Sequence, residues 1–253
     1  GEHWVDAQLY GNHTRGEFDH AEVSVFVGKN PWMSQSFPRA RVVLNDIAKD
    51  PARSMVVIDP VVTETAKMAD FHLRVRPGTD AWCLAALAGV LVQENLCDET
   101  FLTEHVTGVD AVRAVFAEVP VDDYAQRCGV SADLVRAAAR RIATATSVAV
   151  FEDLGVQQAP NSTLCSYLNK MLWILTGNFA KRGGQHLHSS FAPLFRAGGV
   201  GRTPVTGAPV IGGLLPSNVI AEEILTDLPD RFRAMIVESS NPAHSVADSA
   251  MMR

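Results

Sequence analysis

Met55-Val-Val-Ile-Asp-Pro60-Val-Val-Thr-Glu-Thr65 is the stretch that decides the fold class. Four successive apolar residues, three of them β-branched, are typical of a strand buried on both faces of a parallel sheet. Pro60 ends the strand, so we expect Asp59 at the carboxyl edge of the sheet, where open α/β folds bind ligands. A carboxylate there can accept hydrogen bonds from ribose hydroxyls or from the paired N–H groups of a guanine. The alternative is that Asp59-Pro60 only opens a turn.

The composition is that of an ordinary globular protein of 253 residues, 47% of them hydrophobic and 20% charged. The 22 Lys and Arg residues against 28 Asp and Glu residues give a net charge of −6, and no basic cluster exceeds two residues. Nucleic acid is therefore not an expected partner. The longest apolar run lies within 81–92 and is too short to span a bilayer, so no transmembrane segment is expected.

The four cysteines, Cys83, Cys97, Cys128 and Cys165, lie far apart in the sequence. No pair has the C-x₂-C spacing of a zinc or iron–sulfur site. The pattern favours a protein with reduced, buried thiols. The compartment is left open, with the cytoplasm favoured over the periplasm.

A ligand-binding turn is predicted after the first apolar strand, 21–27, which runs directly into Gly28-Lys-Asn30-Pro31-Trp-Met-Ser34. Glycine lets the backbone approach a ligand, Asn30 offers donors and an acceptor, and Ser34 lies near the start of a predicted helix that runs through Ile47. A strand, a glycine turn and a helix N-terminus together make a phosphate site. The alternative is a structural turn, because Asn-Pro is common in turns.

A second polar turn, Pro77-Gly78-Thr79-Asp80, follows an alternating strand over 71–75 and precedes a long apolar helix over 81–94. Thr79 or Asp80 is expected to cap this helix, since an anionic side chain suits its positive end. Asp80 as a simple cap is the alternative to a binding role.

A second series of elements begins with a buried strand over 147–151, after surface helices over 98–105, 109–119 and 131–142. Its polar loop, with Glu152, Gly155, Gln157 and Asn161, opens a helix over 162–175. We predict a long loop over 190–217. A last helix is predicted over 218–225, and a last strand over 234–237.

The last predicted strand leads into Asn241-Pro242 and, three residues later, Ser245, which repeats the pattern of Asn30-Pro31 and Ser34. Two similar lobes would make two similar nucleotide sites, although chance recurrence of so short a pattern is the alternative. We therefore predict an α/β protein of two Rossmann-like lobes, with mostly parallel sheets flanked by helices. The first lobe spans 1–146, and the second, which is incomplete, spans 147–253.

Taken in order, these segments resemble the molybdopterin-dependent oxidoreductases of the dimethyl sulfoxide reductase and formate dehydrogenase type. The resemblance covers nearly the whole chain, and each motif is weak while the series is specific. The matching segments are Val27-Gly28-Lys29-Asn30-Pro31 with Ser34, Val57-Ile58-Asp59-Pro60 with Thr63-Glu64-Thr65-Ala66 and Ala69-Asp70, Pro77-Gly78-Thr79-Asp80, and Leu175-Thr176-Gly177-Asn178 with Gly183-Gly184.

The resemblance implies a cofactor of two molybdopterin guanine dinucleotides on a molybdenum or tungsten atom. By this resemblance one set of residues would hold the first guanosine tail. Gly28, Asn30, Pro31 and Ser34 would lie along its diphosphate and ribose, Asp59, Pro60 and Thr63 would hold its ribose or base, and Asp80, after Gly78 and Thr79, would read the guanine N–H edge. Glu152, Gly155, Gln157 and Asn161 would face the pterin side, and Asn241 would do for the second lobe what Asn30 does for the first.

Several parts of such an enzyme are missing from the sequence. None of the four cysteines stands where the family's metal ligand would, and an iron–sulfur cluster is expected in a part of the protein absent from this chain. We expect a fragment that is inactive alone, whose partners are the missing N- and C-terminal domains or subunits, an electron-transfer partner and a small-molecule substrate. His3, His13, His20 and His186 are candidates for proton handling, although a lone histidine is more often structural.

Two other functions compete with a catalytic fragment. One is a scaffold relative that keeps the fold without the metal, as in the large subunit of respiratory NADH dehydrogenase. The other is an unrelated doubly wound domain that binds NAD, which the absence of a GxGxxG pattern after the first strand makes less favourable. Asn30, Asp59 and Asp80 favour cofactor binding over the scaffold.

Overall fold

The structure, a computed structural model, describes residues 1–188, 201–210, 214–246 and 248–253. Its backbone divides into a first unit, Gly1–His188, and a second unit, Ser189–Arg253. All strands of the described residues belong to the first unit.

The first unit is built on a parallel sheet of four strands. The six strands of the described residues are β1 Thr14–Gly16, β2 Val23–Val27, β3 Ser54–Ile58, β4 Phe71–Leu73, β5 Val148–Glu152 and β6 Gln185–Leu187. The parallel sheet has the order β4-β3-β2-β5, and β1 and β6 form a separate antiparallel pair. The α/β class with a parallel sheet is thus confirmed.

Helices of the first unit cover both faces of this sheet. The helices of the described residues are α1 Glu2–Tyr10, α2 Pro31–Ser34, α3 Ala40–Lys49, α4 Asp80–Gln93, α5 Glu99–His105, α6 Val109–Ala117, α7 Val121–Cys128, α8 Ala132–Thr144, α9 Leu154–Gln157, α10 Ser162–Ile174, α11 Ile220–Leu225 and α12 Pro242–Ser245. Short 3₁₀ turns lie at Ala66–Met68 and Ser217–Val219. The helices predicted over 81–94, 98–105, 131–142, 162–175 and 218–225 are present within one or two residues.

The two faces of β2 pack into different cores because successive side chains of a strand point to opposite sides. Val23, Val25 and Val27 join the larger core, which α4, α7, α8 and α10 also build. Phe26 joins a smaller core with residues of α3. Every residue of β2 and β3 is buried, as an apolar run covered on both faces requires.

The position of β5 differs from the expectation that a second lobe begins at residue 147. Val148 pairs in parallel with Val23, so β5 is an edge strand of the same sheet as β2, β3 and β4. The division of the described structure falls instead after His188. A buried apolar strand carries no mark of the sheet that it joins, and for that reason the sequence pattern did not indicate that β5 belongs to the first sheet.

The last strand predicted from the sequence, 234–237, is not a strand in the structure. No ladder pairing is found for it among the described residues of the second unit, and Ile236 is 97% exposed. An apolar run becomes a strand only beside a neighbouring strand, and the second unit provides none within its described residues. Of the predicted loop over 190–217, residues 190–200 and 211–213 lie outside the described part of the chain.

A search of the helices among the described residues finds none with the length and apolar character needed to cross a bilayer.

Candidate functional site

The carboxyl edge of the parallel sheet brings several predicted residues together. Gly28 follows β2, Asp59 follows β3, and Glu152 is the last residue of β5. Because β2 lies between β3 and β5, the turns after these three strands are neighbours. This edge is where parallel α/β sheets bind ligands.

Gly28 and Gly155 form the tightest backbone contact at this edge. Gly28 has φ +57°, and its carbonyl oxygen accepts a hydrogen bond from Gly155 N at 3.1 Å. A Cβ atom added to Gly28 would lie 2.5 Å from the backbone nitrogen of Val156, and one added to Gly155 would lie 2.6 Å from the Gly28 carbonyl oxygen. Only glycines let the turns after β2 and β5 meet.

Lys29, between two predicted binding residues, is a buried cation that the sequence did not reveal. Its side chain is 1% exposed, donates to Ser36 Oγ at 2.6 Å and is ion-paired with Asp153. Its ammonium nitrogen also lies 4.8 Å from the ring centre of Phe151. Since lysines are rarely buried, nothing in the sequence distinguished Lys29 from a surface residue. The pair ties the β2 turn to the β5 turn.

Asn30 is held by two residues of the turn after β3. Its Nδ2 donates to Glu64 Oε2 at 2.9 Å, and its Oδ1 accepts from Thr65 Oγ1 at 2.7 Å. This hydrogen bond from Asn30 is the main cause that lowers the pKa of Glu64. Glu64 and Thr65 were part of the recognised motif but were not predicted as site residues. Both ends of the Asn30 amide are therefore engaged within the chain.

Pro31, Ser34, Pro60 and Thr63 shape the same two turns. Pro31 opens α2 at its first position, where a missing N–H costs nothing, and the exposed Ser34 donates to the Asn30 carbonyl oxygen at 3.0 Å. Thr63 Oγ1 accepts from Ala66 N at 3.1 Å, and the Pro60 carbonyl oxygen accepts from Arg74 Nε at 3.0 Å. Their observed contacts are thus local.

Asp59 and Asp80 are two buried carboxylates at this edge. Asp59 Oδ1 accepts from Val61 N at 2.8 Å, which is the turn contact expected of the alternative interpretation. Asp80 is 6% exposed, and burial first and the charge of Asp59 second raise its pKa. Among the described residues neither carboxylate has an ion-pair partner, and no side chain donates to Asp80. The pair therefore offers acceptors without a cation.

The turn before Asp80 has the backbone form that its sequence predicted. Gly78 has φ +78°, which favours glycine. Thr79 is the residue at the start of α4, but its hydroxyl donates to the Arg76 carbonyl oxygen at 2.6 Å and does not cap the helix. Asp80 lies in the first turn of α4, where its negative charge interacts favourably with the positive N-terminal end of the helix dipole.

The polar residues after β5 do not all face one space. Glu152 is buried and accepts hydrogen bonds from Ser166 and, at 3.1 Å, from Asn169 Nδ2, and burial is the main cause that raises its pKa. Gln157 donates to Glu2 Oε2 at 2.8 Å. Asn161 is exposed, with φ +60°, and precedes α10 without a side-chain cap. Glu152 and Gln157 belong to one wall, and Asn161 does not.

The repeated Asn-Pro pattern is also repeated in the backbone. Asn30 precedes α2 with φ −112° and ψ 82°, and Asn241 precedes α12 with φ −125° and ψ 89°. The asparagine carbonyl oxygen accepts from Ser34 N at 3.0 Å in the first unit and from Ser245 N at 2.9 Å in the second. Asn241 is exposed in the second unit. The recurrence therefore extends to local conformation.

A cavity of about 460 Å³ in the first unit is lined by residues of α1, β1, β5, α10 and β6. His3, His13 and His186 lie on its wall, together with Glu152 and Gln157, whereas His20 does not. Beneath the wall, Asp6 Oδ1 lies 2.6 Å from the ammonium of Lys170, and the pKa of Asp6 falls to about 2, since hydrogen bonds and charge outweigh burial. No local sequence pattern marks this pair, because Asp6 and Lys170 are distant in the chain.

Comparisons with known proteins identify relatives over most of the chain. A family model described as molybdopterin oxidoreductase matches residues 3–250. The alpha subunit of F420-dependent formate dehydrogenase 1 from Methanococcus maripaludis is 31% identical over 170 residues, which are 66% of this chain and 24% of that protein. The catalytic subunit of assimilatory nitrate reductase from Bacillus subtilis is 32% identical over 136 residues, which are 53% of this chain and 19% of that protein.

Among solved structures, acetylene hydratase from Pelobacter acetylenicus is similar with a TM-score of 0.65 and 26% identity. The match covers 73% of this chain and 25% of that one. The matched part of the chain corresponds to about a quarter of the length of the first curated relative.

Proposed function

Because the chain belongs to the molybdopterin oxidoreductase family, we propose that it is the nucleotide-binding part of a molybdenum or tungsten enzyme. The proposed enzyme carries two molybdopterin guanine dinucleotides and performs two-electron redox chemistry or oxygen-atom transfer on a small substrate. Formate dehydrogenase and nitrate reductase are among the relatives, which supports redox chemistry of that class. The metal, the substrate, an iron–sulfur cluster and an electron-transfer partner would reside in or bind to the larger protein.

The observation that carries the proposal is the pair of buried carboxylates, Asp59 and Asp80, at the carboxyl edge of the sheet. Neither has a cationic partner among the described residues, and a largely buried carboxylate is stabilised by the donors of a ligand. The N1–H and 2-amino groups of guanine and the hydroxyls of ribose are paired donors that fit such acceptors. The donor set of the guanosine tail and the acceptors of this edge are therefore complementary.

The glycine contact at the same edge also fits a nucleotide. Gly28 and Gly155 let the turns after β2 and β5 meet beside the turn that leads into α2, and we propose that the diphosphate follows a path along these joined turns. Asn30 and Ser34 would line this path, and Asn241 would serve the second tail. Gly78 and Thr79 would shape the turn that presents Asp80. These roles stay proposals for the residues predicted from the sequence.

The cofactor, when bound, supplies the electron-transfer and bond-making chemistry, while the chain binds and orients it. The Lys29–Asp153 pair holds the β2 and β5 turns together, and the hydrogen bonds from Asn30 to Glu64 and Thr65 fix the β2 turn against the β3 turn. These contacts keep the edge in one arrangement. We propose that this rigidity fixes the position of the guanosine tail.

Asp80→Asn is expected to weaken binding of GDP to the 253-residue chain by about 1 to 3 kcal/mol, because one acceptor oxygen becomes a donor facing guanine N–H groups. Calorimetric titration with GDP, and with ADP as a base control, measures this effect. Asp110→Asn is the matched control, since Asp110 also lies in the first turn of a helix but is exposed. Equal losses in the two variants, or binding of GDP and ADP with equal affinity, would contradict the role of Asp80.

The cofactor itself is tested by acid extraction of the full-length protein, followed by measurement of released GMP. We expect about two GMP molecules per polypeptide if both guanosine tails are present. Extraction of the 253-residue chain alone is the companion measurement, and less GMP is expected there. Absence of GMP from the full-length protein would refute the dinucleotide cofactor and leave the metal-free scaffold.

A further inference from the structure

The segment 234–238 of the second unit has the sequence of a buried strand but no strand beside it. Met235, Ile236 and Val237 are all exposed, Ile236 by 97%. No backbone–backbone hydrogen bond is found for 232–240 within the described residues. A row of free backbone N–H and C=O groups that carries exposed apolar side chains is a template for pairing with another strand.

The turn after this segment repeats the turn after β2 residue by residue. Ser239 has φ +53° and Gly28 has φ +57°, and each stands two positions before the asparagine of an Asn-Pro pair. The carbonyl oxygen of the proline accepts a hydrogen bond from Gln35 N at 2.9 Å in the first turn and from Val246 N at 3.2 Å in the second. The two turns therefore align without a gap.

This alignment places 234–238 on β2 Val23–Val27. Ile236 then corresponds to Val25, and Val237 corresponds to Phe26. Val25 and Phe26 are fully buried, because β3 pairs with one edge of β2, β5 pairs with the other, and helices cover both faces. The exposed segment thus has the register of a central strand, which needs a neighbouring strand on each side.

The conformation of Ser239 agrees with a missing neighbour. A φ of +53° lies in the left-handed region, which a residue with a Cβ atom adopts at a cost. Such a conformation persists where surrounding contacts determine it. Gly28, at the same position of the first turn, is held by the hydrogen bond from its N–H to the Ile58 carbonyl oxygen of β3 at 2.9 Å. A neighbouring strand would give Ser239 the equivalent contact.

The first sheet also indicates where the neighbours of such a strand lie in the sequence. Both neighbours of β2 come from later sequence, since β3 begins at Ser54 and β5 at Val148, which are 31 and 125 positions after Val23. At the same spacings after Ala234, both neighbours would begin beyond Arg253. The matched part of this chain is 24% of the formate dehydrogenase alpha subunit, so a protein of that length has enough sequence to supply them.

We propose that 234–238 is the central strand of a second parallel sheet, whose neighbouring strands are supplied by the polypeptide that follows residue 253 in the larger protein. The partner is a pair of apolar, β-branched strands that run parallel to the segment, because both of its faces would be buried. The inference rests on the proposed function, in which this chain is part of a larger enzyme. It concerns backbone pairing and does not involve Asp59 or Asp80.

Amide hydrogen exchange, measured by mass spectrometry in the full-length protein and in the 253-residue chain, tests this pairing. We expect the amides of 232–238 to exchange about a hundredfold more slowly in the full-length protein, since hydrogen bonds between strands protect them. Peptides from β2 are the internal control and should be protected in both proteins. Equally fast exchange of 232–238 in both would overturn the proposal. Protection in the 253-residue chain that increases with its concentration would assign the segment to a second copy and also overturn it.

Ile236→Thr tests the burial of the segment, because threonine keeps the branched Cβ but places a hydroxyl in an apolar layer. In the full-length protein we expect this variant to speed exchange of 232–238 about tenfold or more. In the 253-residue chain its melting temperature should equal that of the wild type. Val115→Thr is the matched control, since Val115 is also exposed, by 67%, and lies in α6 without an Asn-Pro turn after it. Equal exchange of 232–238 in the two full-length variants would contradict the pairing.

Release of GMP from the same full-length preparation separates this inference from the proposed function. Slow exchange of 232–238 without GMP would support the second sheet and refute the dinucleotide cofactor. Two GMP molecules per polypeptide together with fast exchange of 232–238 would overturn the second sheet and leave the cofactor in place.

Discussion

Replacing Gly28 by alanine is expected to lower the free energy of unfolding by about 2 to 5 kcal/mol. Two effects add. The φ of +57° disfavours any residue with a Cβ atom, and that atom would lie 2.5 Å from Val156 N and 2.8 Å from the Gly155 carbonyl carbon. Because both atoms belong to the backbone, a change of side-chain rotamer cannot relieve the clash.

Gly108→Ala separates these two effects. Gly108 has φ +76°, and a Cβ atom added there would meet nothing within 4 Å. Gly108→Ala should lower the free energy of unfolding only by the cost of placing alanine in a left-handed backbone, about 1 to 2 kcal/mol. Urea denaturation followed by circular dichroism measures both variants. If the two lose the same stability, then the contact between the β2 and β5 turns is looser than these distances indicate.

Replacing Lys170 by methionine is expected to cost about 3 to 5 kcal/mol of unfolding free energy, because it leaves the Asp6 carboxylate buried without its cation. Methionine keeps most of the side-chain volume, so lost packing contributes little. The double variant Asp6→Asn/Lys170→Met removes both charges and should recover much of the loss. Arg39→Met, which breaks the exposed pair of Arg39 with Asp19, should cost less than about 1 kcal/mol.

The stability effect of Lys170→Met should also depend on pH. The pKa of Asp6 is lowered to about 2 in the folded chain, so its contribution to stability is present above the unfolded pKa and is lost as the pH falls toward about 2. Lys170→Met removes a cause of this lowering. The difference in unfolding free energy between wild type and Lys170→Met should therefore shrink as the pH is lowered from about 4 toward about 2. A difference that is constant over this range would contradict an electrostatic origin.

Local patterns were sufficient to predict most of the first unit. The apolar, β-branched runs of β2, β3 and β5 are strands because burial on both faces selects them, and the turns after them carry the predicted Gly28, Asp59 and Glu152. The interpretation as an unrelated NAD-binding domain was wrong, since the family model matches 3–250.

Long-range relations were not predictable from the sequence. The pairs Lys29–Asp153 and Asp6–Lys170 join residues more than a hundred positions apart, and each charged side chain looks like a surface residue in isolation. The strand predicted over 234–237 is absent for a related reason, because strand formation depends on a neighbouring strand that a local pattern does not specify. The pairing of β5 with β2 is a third long-range relation that the local pattern did not predict.

The pairing of β2 with β5 has a consequence for how the chain folds. Val23 and Val148 are partners, whereas the other neighbour of β2 begins at Ser54. During synthesis β2 and β3 can pair early, but one edge of β2 stays open until the segment through Glu152 has left the ribosome. Such non-local pairing slows folding, and an open apolar edge invites association with other chains. The interval between the appearance of β3 and that of β5 is therefore the period when nascent chains are most exposed to aggregation.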